Sequence, residues 1–145
     1  EKIDLLKKAA QLHDIGKIGV KEQILNKSGA LNDEERRIIN EHPKVGEEIL
    51  GLVFDDVDML SVVRSHHEHF NGKGYPDHLT GGKINTLAQI VAVADAYDAM
   101  TSTRPYRSAM SKEDAINMIK QQSGTQFNPE IVKAFIESLA VEKKR

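Results

Sequence analysis

The chain has 145 residues, of which 39% are hydrophobic and 29% charged, and its formal net charge is −2. These values predict one compact domain of an ordinary soluble protein and exclude a disordered chain. The charge argues against DNA binding, and no apolar run approaches the roughly 20 residues needed for membrane insertion. The absence of cysteine excludes disulfides and thiolate metal sites and fits a reducing compartment, so we expect a cytoplasmic protein.

Two helices are predicted in the first third of the chain. In the first, apolar residues at helical spacing lead from Ile3 to His13, which places this histidine on the buried face. Gly16 is the expected end of this helix. The second helix begins where Asn32 is followed three residues later by Glu35, because this pair resembles a capping box.

Histidines are expected at the ends of the second and fourth helices. Pro43 should break the second helix just after His42, and a third helix then continues to Leu50. A fourth helix is predicted from about Val57 to His67. Side chains at helix ends can point away from the local core, so both histidine positions are available for a site.

The second half of the chain combines one loop with three further helices. Residues 71–83 are rich in Gly, Pro, Asn and Asp and predict a loop, whereas the apolar, alanine-rich residues 86–100 predict a central buried helix. Another helix starts at Ser111 and stops at Gly124, and the last begins at Asn128, directly before a proline. The sequence therefore predicts a single all-α domain.

Histidines and aspartates recur at the buried and helix-end positions. They are His13, Asp14, His42, His66, His67 and Asp95. A single buried histidine is more often a hydrogen-bonded core residue than a ligand, but a buried carboxylate must be paired or metal-bound. Jointly the six residues form a donor set suited to Fe, Mn, Ni or Zn, and Asp14 or Asp95 could bridge two ions. His69 and His78 lie in or beside the polar loop and are not expected to be ligands.

Three cations and a glycine-containing loop near these residues are suited to a phosphate ester. Lys17 lies one helical turn after the His-Asp pair. Arg104 and Arg107 follow the helix that carries Asp95, and the guanidinium fork matches phosphate geometry, so they are the natural phosphate clamps. The NGKGYP segment at 71–76 would by itself be a surface turn, but it follows closely on the histidine doublet.

These motifs, taken in order, resemble those of the HD-GYP family. The matching segments are HDIGK at 13–17, EHP at 41–43, HHE at 66–68, NGKGYP at 71–76, VADAYDAMTS at 93–102 and RPYR at 104–107. Their order and spacing agree with the family from about Leu6 to Asn128. A lone His-Asp pair would indicate only a broad phosphohydrolase superfamily, whereas the full ordered set is far more restrictive.

The resemblance implies a compact HD-domain helical bundle with a Gly/Pro-rich GYP loop. It implies hydrolysis of cyclic di-GMP to the linear dinucleotide, or on to GMP, with two or three divalent ions, iron or manganese, held by the six His and Asp residues. Asp14 and Lys17 would be catalytic. The implied substrate-binding residues are Lys17, Tyr75, Asp98, Arg104 and Arg107. A sensor or regulatory domain in the same polypeptide and a diguanylate cyclase domain are the implied partners.

One feature of the family is missing from these residues. The family places a further metal-binding histidine on a helix well upstream of its HD pair, and no histidine precedes His13 here. We expect the 145 residues to be part of a longer polypeptide that supplies this helix; a naturally incomplete site is the competing explanation. Two other readings stay open: a degenerate module that binds a dinucleotide or a partner protein, and another HD-type nucleotide phosphohydrolase.

Overall fold

The computed structural model describes residues 1–103 and 108–142, which form α-helices connected by turns and two short 3₁₀ helices. The α-helices are α1 (Lys2–Leu12), α2 (Glu22–Leu25), α3 (Asp33–Asn40), α4 (His42–Gly51), α5 (Val57–Ser65), α6 (Thr86–Thr101), α7 (Lys112–Gln121) and α8 (Pro129–Glu142). The all-α class predicted from the sequence is confirmed. Within the described ranges, every helix is too short or too polar to span a membrane.

Side-chain caps fix the starts of several helices where the sequence predicts them. Asn32 and Glu35 form a reciprocal capping box, each side chain accepting the other residue's backbone N–H at 2.8 Å. Ser111 caps α7 by accepting a hydrogen bond from the backbone N–H three residues later, and Asn128 caps α8 by accepting one from the backbone N–H two residues later. These contacts satisfy N–H groups that have no partner within the helix.

The ends of the first helices lie elsewhere than predicted. α1 ends at Leu12 rather than Gly16, and a 3₁₀ helix at Ile15–Gly19 follows it. α3 ends at Asn40, so His42 opens α4 instead of closing the preceding helix. The proline after His42 falls in the first turn of α4, where its missing N–H would have had no helical partner.

Two further helices stop earlier than the sequence indicates. α5 ends at Ser65, so the doublet of His66 and His67 lies in the turn that follows the helix. α7 ends at Gln121 rather than Gly124, which lies three residues farther on with a positive φ of 84°. The glycine thus serves the turn after α7, because residues with a side chain rarely adopt this conformation.

α6 is the central helix because its two halves belong to different core clusters. Ala88 and Val91 pack in the first cluster with residues of α1, α4 and α5. Val93 packs in the second cluster with residues of α7 and α8 and with Phe127. The prediction of a central buried helix at 86–100 is confirmed. Asp95 lies two residues after Val93, in the half of α6 that packs in the second cluster.

Two glycines bring the 3₁₀ turn after α1 against the start of α4. A Cβ on Gly16 would lie 2.6 Å from the backbone nitrogen of Gly46 and would also collide with the carbonyl oxygen of His42. A Cβ on Gly46 would in turn lie 3.0 Å from Val63 of α5. This close backbone packing places Asp14, just before the turn, beside the first residue of α4.

Candidate metal centre

Side chains from four separate segments converge on one point of the fold. The segments are the turn after α1, the start of α4, the turn after α5 and the middle of α6. They carry the six predicted ligands: His13, Asp14, His42, His66, His67 and Asp95. Asp14, His42, His66 and His67 each offer one donor atom, and these four atoms lie within 4.8 Å of one another. His69 and His78 are outside this group of four within the part of the chain that the structure describes.

Asp14 lies between two sets of histidine nitrogens. Its Oδ1 is 3.2 Å from Nε2 of His42 and 3.8 Å from Nε2 of His66. Its Oδ2 is 3.5 Å from Nε2 of His13, which is itself 3.5 Å from Oδ1 of Asp95. The two oxygens of one carboxylate therefore face different donors, an arrangement that allows a carboxylate to serve two neighbouring ions.

The backbone sets the tautomers of three of the histidines. In His13, His42 and His66, Nδ1 lies 2.6–2.7 Å from the carbonyl oxygen three residues earlier. A carbonyl can only accept, so Nδ1 must carry the hydrogen and the lone pair of a neutral ring is on Nε2. Metal-bound histidines commonly donate their other ring N–H in this way, which fixes the direction of the ligand atom.

Burial keeps the doublet neutral while Asp14 stays ionised. Burial, with a smaller effect from neighbouring histidines, lowers the pKa of His66 to about 3 and that of His67 to about 4. Burial alone would raise the pKa of Asp14, but the adjacent His42 ring and the Lys17 ammonium outweigh it and hold the pKa well below its usual range. Neutral imidazoles and an ionised carboxylate are the forms that bind a cation.

His13 and Asp95 form a second, adjoining part of the cluster. Burial would lower the pKa of His13, but the Asp95 carboxylate and a backbone carbonyl outweigh it and raise this pKa. The adjacent His13 ring lowers the pKa of Asp95 in return. The two residues thus stabilise each other's charged forms, and a divalent cation between them would take the place of the proton.

Two unpartnered atoms show that the cluster fits a metal ion. Nε2 of His13 and Oδ1 of Asp14 are buried, and neither has a hydrogen-bond partner among residues 1–103 and 108–142. Buried polar atoms nearly always have a partner, so such a pair requires an explanation. An ion coordinated by imidazole and carboxylate groups would satisfy both atoms, and the protein has no cysteine to compete with them.

Two of the predicted substrate-binding residues border the cluster. The Tyr75 ring stacks on the His67 imidazole with centroids 4.9 Å apart and planes inclined by 20°. Burial raises the pKa of Tyr75 to about 12, so its hydroxyl stays protonated at neutral pH. Nζ of Lys17 lies 2.7 Å from Oδ2 of Asp14, and the Lys17 side chain is 36% exposed. The Lys17 ammonium therefore lies beside the donor cluster on a side chain that solvent can reach.

The remaining predicted substrate-binding residues are placed less directly. Asp98 lies one turn after Asp95 on α6, and the hydroxyl of Ser102 donates to its carboxylate at 3.1 Å. An apolar groove between α1 and α6 is lined by both aspartates and by His13. The phosphate-clamp arginines of the sequence analysis, at 104 and 107, lie outside the described residues.

The structure gives two residues a role that the sequence did not indicate. Glu68 is only 3% exposed, and its carboxylate accepts the backbone N–H groups of Asp77 and Leu79. Arg64 donates two hydrogen bonds to Asp77 and another to Glu47 of α4. The only signal in the sequence was an acidic residue directly after the doublet. Its partners could not be predicted, because the two backbone N–H groups that donate to it lie nine and eleven residues farther along the chain.

An all-helical domain that gathers histidine and aspartate side chains from four segments belongs to the class of helical proteins with a potential metal site. The chain belongs to the HD domain family, whose match covers residues 2–131. It is 40% identical to a cyclic di-GMP phosphodiesterase of Vibrio cholerae, over 98% of this chain and 30% of the relative. It is 42% identical to a cyclic di-GMP phosphodiesterase of Thermotoga maritima, over 89% of this chain and 36% of the relative.

The chain thus spans about a third of the length of the curated relatives it matches. These relatives confirm the resemblance to the HD-GYP family drawn from the motifs. The fold is also similar to the crystal structure of a cyclic GMP-AMP specific phosphodiesterase of V. cholerae, with a TM-score of 0.70 and 19% identity. That alignment covers 96% of this chain and 38% of the other.

Proposed function

We propose that the protein is a metal-dependent phosphodiesterase that hydrolyses a 3′–5′ phosphodiester bond of cyclic di-GMP to the linear dinucleotide. The observation that carries this proposal is the convergence of Asp14 with three histidine nitrogens, in a chain whose relatives are named cyclic di-GMP phosphodiesterases. The two faces of Asp14 and the adjoining His13–Asp95 pair support two ions. Imidazole and carboxylate donors suit iron or manganese.

Bound divalent ions would supply Lewis-acid polarisation of the phosphoryl group and lower the pKa of a water nucleophile. The protein's own residues keep the donors in the forms that this chemistry needs. Backbone carbonyls direct the Nε2 atoms of His13, His42 and His66 toward Asp14. The adjacent His42 ring and the Lys17 ammonium outweigh the effect of burial and hold the pKa of Asp14 low, so its carboxylate is ionised and available as a ligand.

The proposed substrate contacts surround this cluster. Lys17, partly exposed beside Asp14, is suited to neutralise charge that develops on the phosphoryl oxygens. Tyr75, whose neutral hydroxyl stands near Asp14 and Asp95, offers an aromatic face and a hydrogen-bond donor to a guanine nucleotide. Asp98 and the arginines at 104 and 107 complete the proposal from the sequence motifs, the arginines as bidentate phosphate ligands.

The test compares one predicted metal ligand with one predicted phosphate ligand. Metal content and turnover of cyclic di-GMP are measured for Asp14→Ala and Arg104→Ala in the full-length protein. We expect Asp14→Ala to lose at least one ion and all turnover. Arg104→Ala should keep its metal and lose roughly 10- to 150-fold in kcat/KM, which corresponds to about 1.5–3 kcal/mol for a charge-assisted hydrogen bond.

Asp4→Ala is a matched control, because the Asp4 side chain is exposed on α1 and lies outside the group of candidate ligands. It should keep both metal and activity. Metal-loaded wild type that binds cyclic di-GMP without cleaving it would contradict the proposal and indicate a binding module. Cleavage of nucleoside monophosphates or dNTPs in preference to cyclic dinucleotides would indicate another HD-type phosphohydrolase, and faster cleavage of cyclic GMP-AMP would change the assigned substrate.

A further inference from the structure

The loop after the histidine doublet is held by a carboxylate that the proposed chemistry does not use. Glu68 directly follows the doublet and is only 3% exposed, yet it is not a member of the group of four candidate ligands among the described residues. One oxygen lies 2.6 Å from the backbone nitrogen of Asp77 and the other 2.9 Å from that of Leu79. His78, between these two residues, has a φ of +55°, a conformation that non-glycine residues rarely adopt.

Additional contacts attach the same loop to the segment that carries the doublet. The Tyr75 N–H donates to the carbonyl oxygen of His67 at 3.1 Å. A Cβ on Gly74 would collide with the backbone of residues 67–69, so the loop lies directly on that segment. On the outer side, Arg64 pairs with Asp77 through two hydrogen bonds of 2.6 and 2.8 Å. The result is the stacking of Tyr75 on His67.

We propose that Glu68 is a positioning residue, which shapes residues 75–79 through two backbone hydrogen bonds and thereby holds Tyr75 over His67 at the substrate side of the site. This inference rests on the proposed phosphodiesterase function and adds to it a residue that touches neither metal nor substrate. A carboxylate suits the task because both of its oxygens accept, whereas a glutamine amide offers one acceptor and one donor group. The donor group of a glutamine would face a backbone N–H and could not bond to it.

The first test follows the loop itself and needs no metal. Amide hydrogen exchange of Asp77 and Leu79 is measured by NMR in Glu68→Gln and in the control Glu48→Gln, whose side chain is exposed on α4. We expect exchange at one or both amides to accelerate roughly 10-fold or more in Glu68→Gln, because one accepting oxygen is replaced by a donor group and a backbone N–H loses its partner. The control should exchange like the wild type. Unchanged exchange in Glu68→Gln would overturn the inference.

The second test asks whether Glu68 acts through Tyr75. In the manganese-loaded full-length protein, Glu68→Gln should raise the KM for cyclic di-GMP about 10-fold with a smaller effect on kcat, at unchanged metal content. In a double-mutant cycle, Glu68→Gln should have little further effect once Tyr75→Ala is present. Equal effects of Glu68→Gln in both backgrounds, or a loss of metal in the single variant, would contradict the positioning role.

The two tests separate the inference from the function on which it rests. If wild type does not cleave cyclic di-GMP, the proposed function fails, while the exchange measurement still decides the role of Glu68 in the loop. If wild type is active and Glu68→Gln matches it in KM, the inference fails and the proposed function stands.

Should Glu68→Gln not fold, Glu68→Asp, which keeps two acceptors with a shorter reach, is measured instead. Failure of both variants to fold would make Glu68 a core residue and overturn the positioning role.

Discussion

Replacing Gly16 with alanine would separate the two segments that bring Asp14 to His42. The added Cβ would lie 2.6 Å from the backbone nitrogen of Gly46 and 2.8 Å from the carbonyl carbon of His42. The carbonyl oxygen of His42 would be closer still. Ordinary contacts lie at about 3.5–4.0 Å, so the 3₁₀ turn would have to move by more than about 1 Å away from α4. All three obstructing atoms belong to the backbone of α4 and cannot rotate out of the way.

We expect two measurable consequences of Gly16→Ala. Overpacking of this kind typically costs about 1–3 kcal/mol of unfolding free energy, which for a chain of this length lowers Tm by about 2–4 °C per kcal/mol. Because Asp14 moves with the turn, the cluster should also bind manganese more weakly, by about 10- to 100-fold if the displacement acts like the loss of a supporting contact. Thermal unfolding of the metal-free protein and manganese titration measure the two effects separately.

Gly19→Ala in the same 3₁₀ helix is the matched control. Its Cβ would meet only a Val45 methyl group at 3.9 Å, which is an ordinary contact. Because alanine restricts the unfolded chain, this variant should be as stable as the wild type or more stable by about 0.4–1 kcal/mol. If Gly16→Ala and Gly19→Ala agree in both Tm and manganese affinity, close packing of the turn on α4 is not what assembles the cluster.

Three further predictions follow from other parts of the site. Lys17→Met should keep the metal but lower kcat/KM about 10- to 150-fold, because one cation beside the cluster is removed; wild-type kinetics would refute its phosphate role. His69→Ala should retain the wild-type metal content and His66→Ala should lose it, as measured by elemental analysis; metal loss in the former would show that the ligands are misassigned. Hydrogen bonds from Arg64 lower the pKa of Asp77, so the stability that Asp77 contributes is present at neutral pH and is lost as the pH falls through its lowered pKa. Asp77→Asn should therefore destabilise the protein more at about pH 7 than at about pH 3 in urea unfolding, and equal losses would contradict this.

Local signals in the sequence were sufficient for the helical architecture and for the kinds of side chain at the site. The cap formed by Asn32 and Glu35 and the apolar run of α6 act within a few residues, so they can be recognised in any chain that carries them. Helix ends were less predictable, since the end of α1 depends on how Gly16 packs against a different helix. A glycine in the sequence shows only that such close packing is permitted.

Which side chains meet, and what holds them, was decided by tertiary packing. Nε2 of His42 and Nε2 of His66 lie 3.2 Å apart although 24 residues separate them in the chain, and only the packing of α4 against α5 brings them together. The role of Glu68 depends on backbone N–H groups, which every residue except proline carries and which no sequence pattern distinguishes. The sequence by itself therefore determined the donor types and their order, because side-chain chemistry is a property of each residue. Their convergence and the support of the loop were decided by the fold, because both depend on distances between segments far apart in the chain.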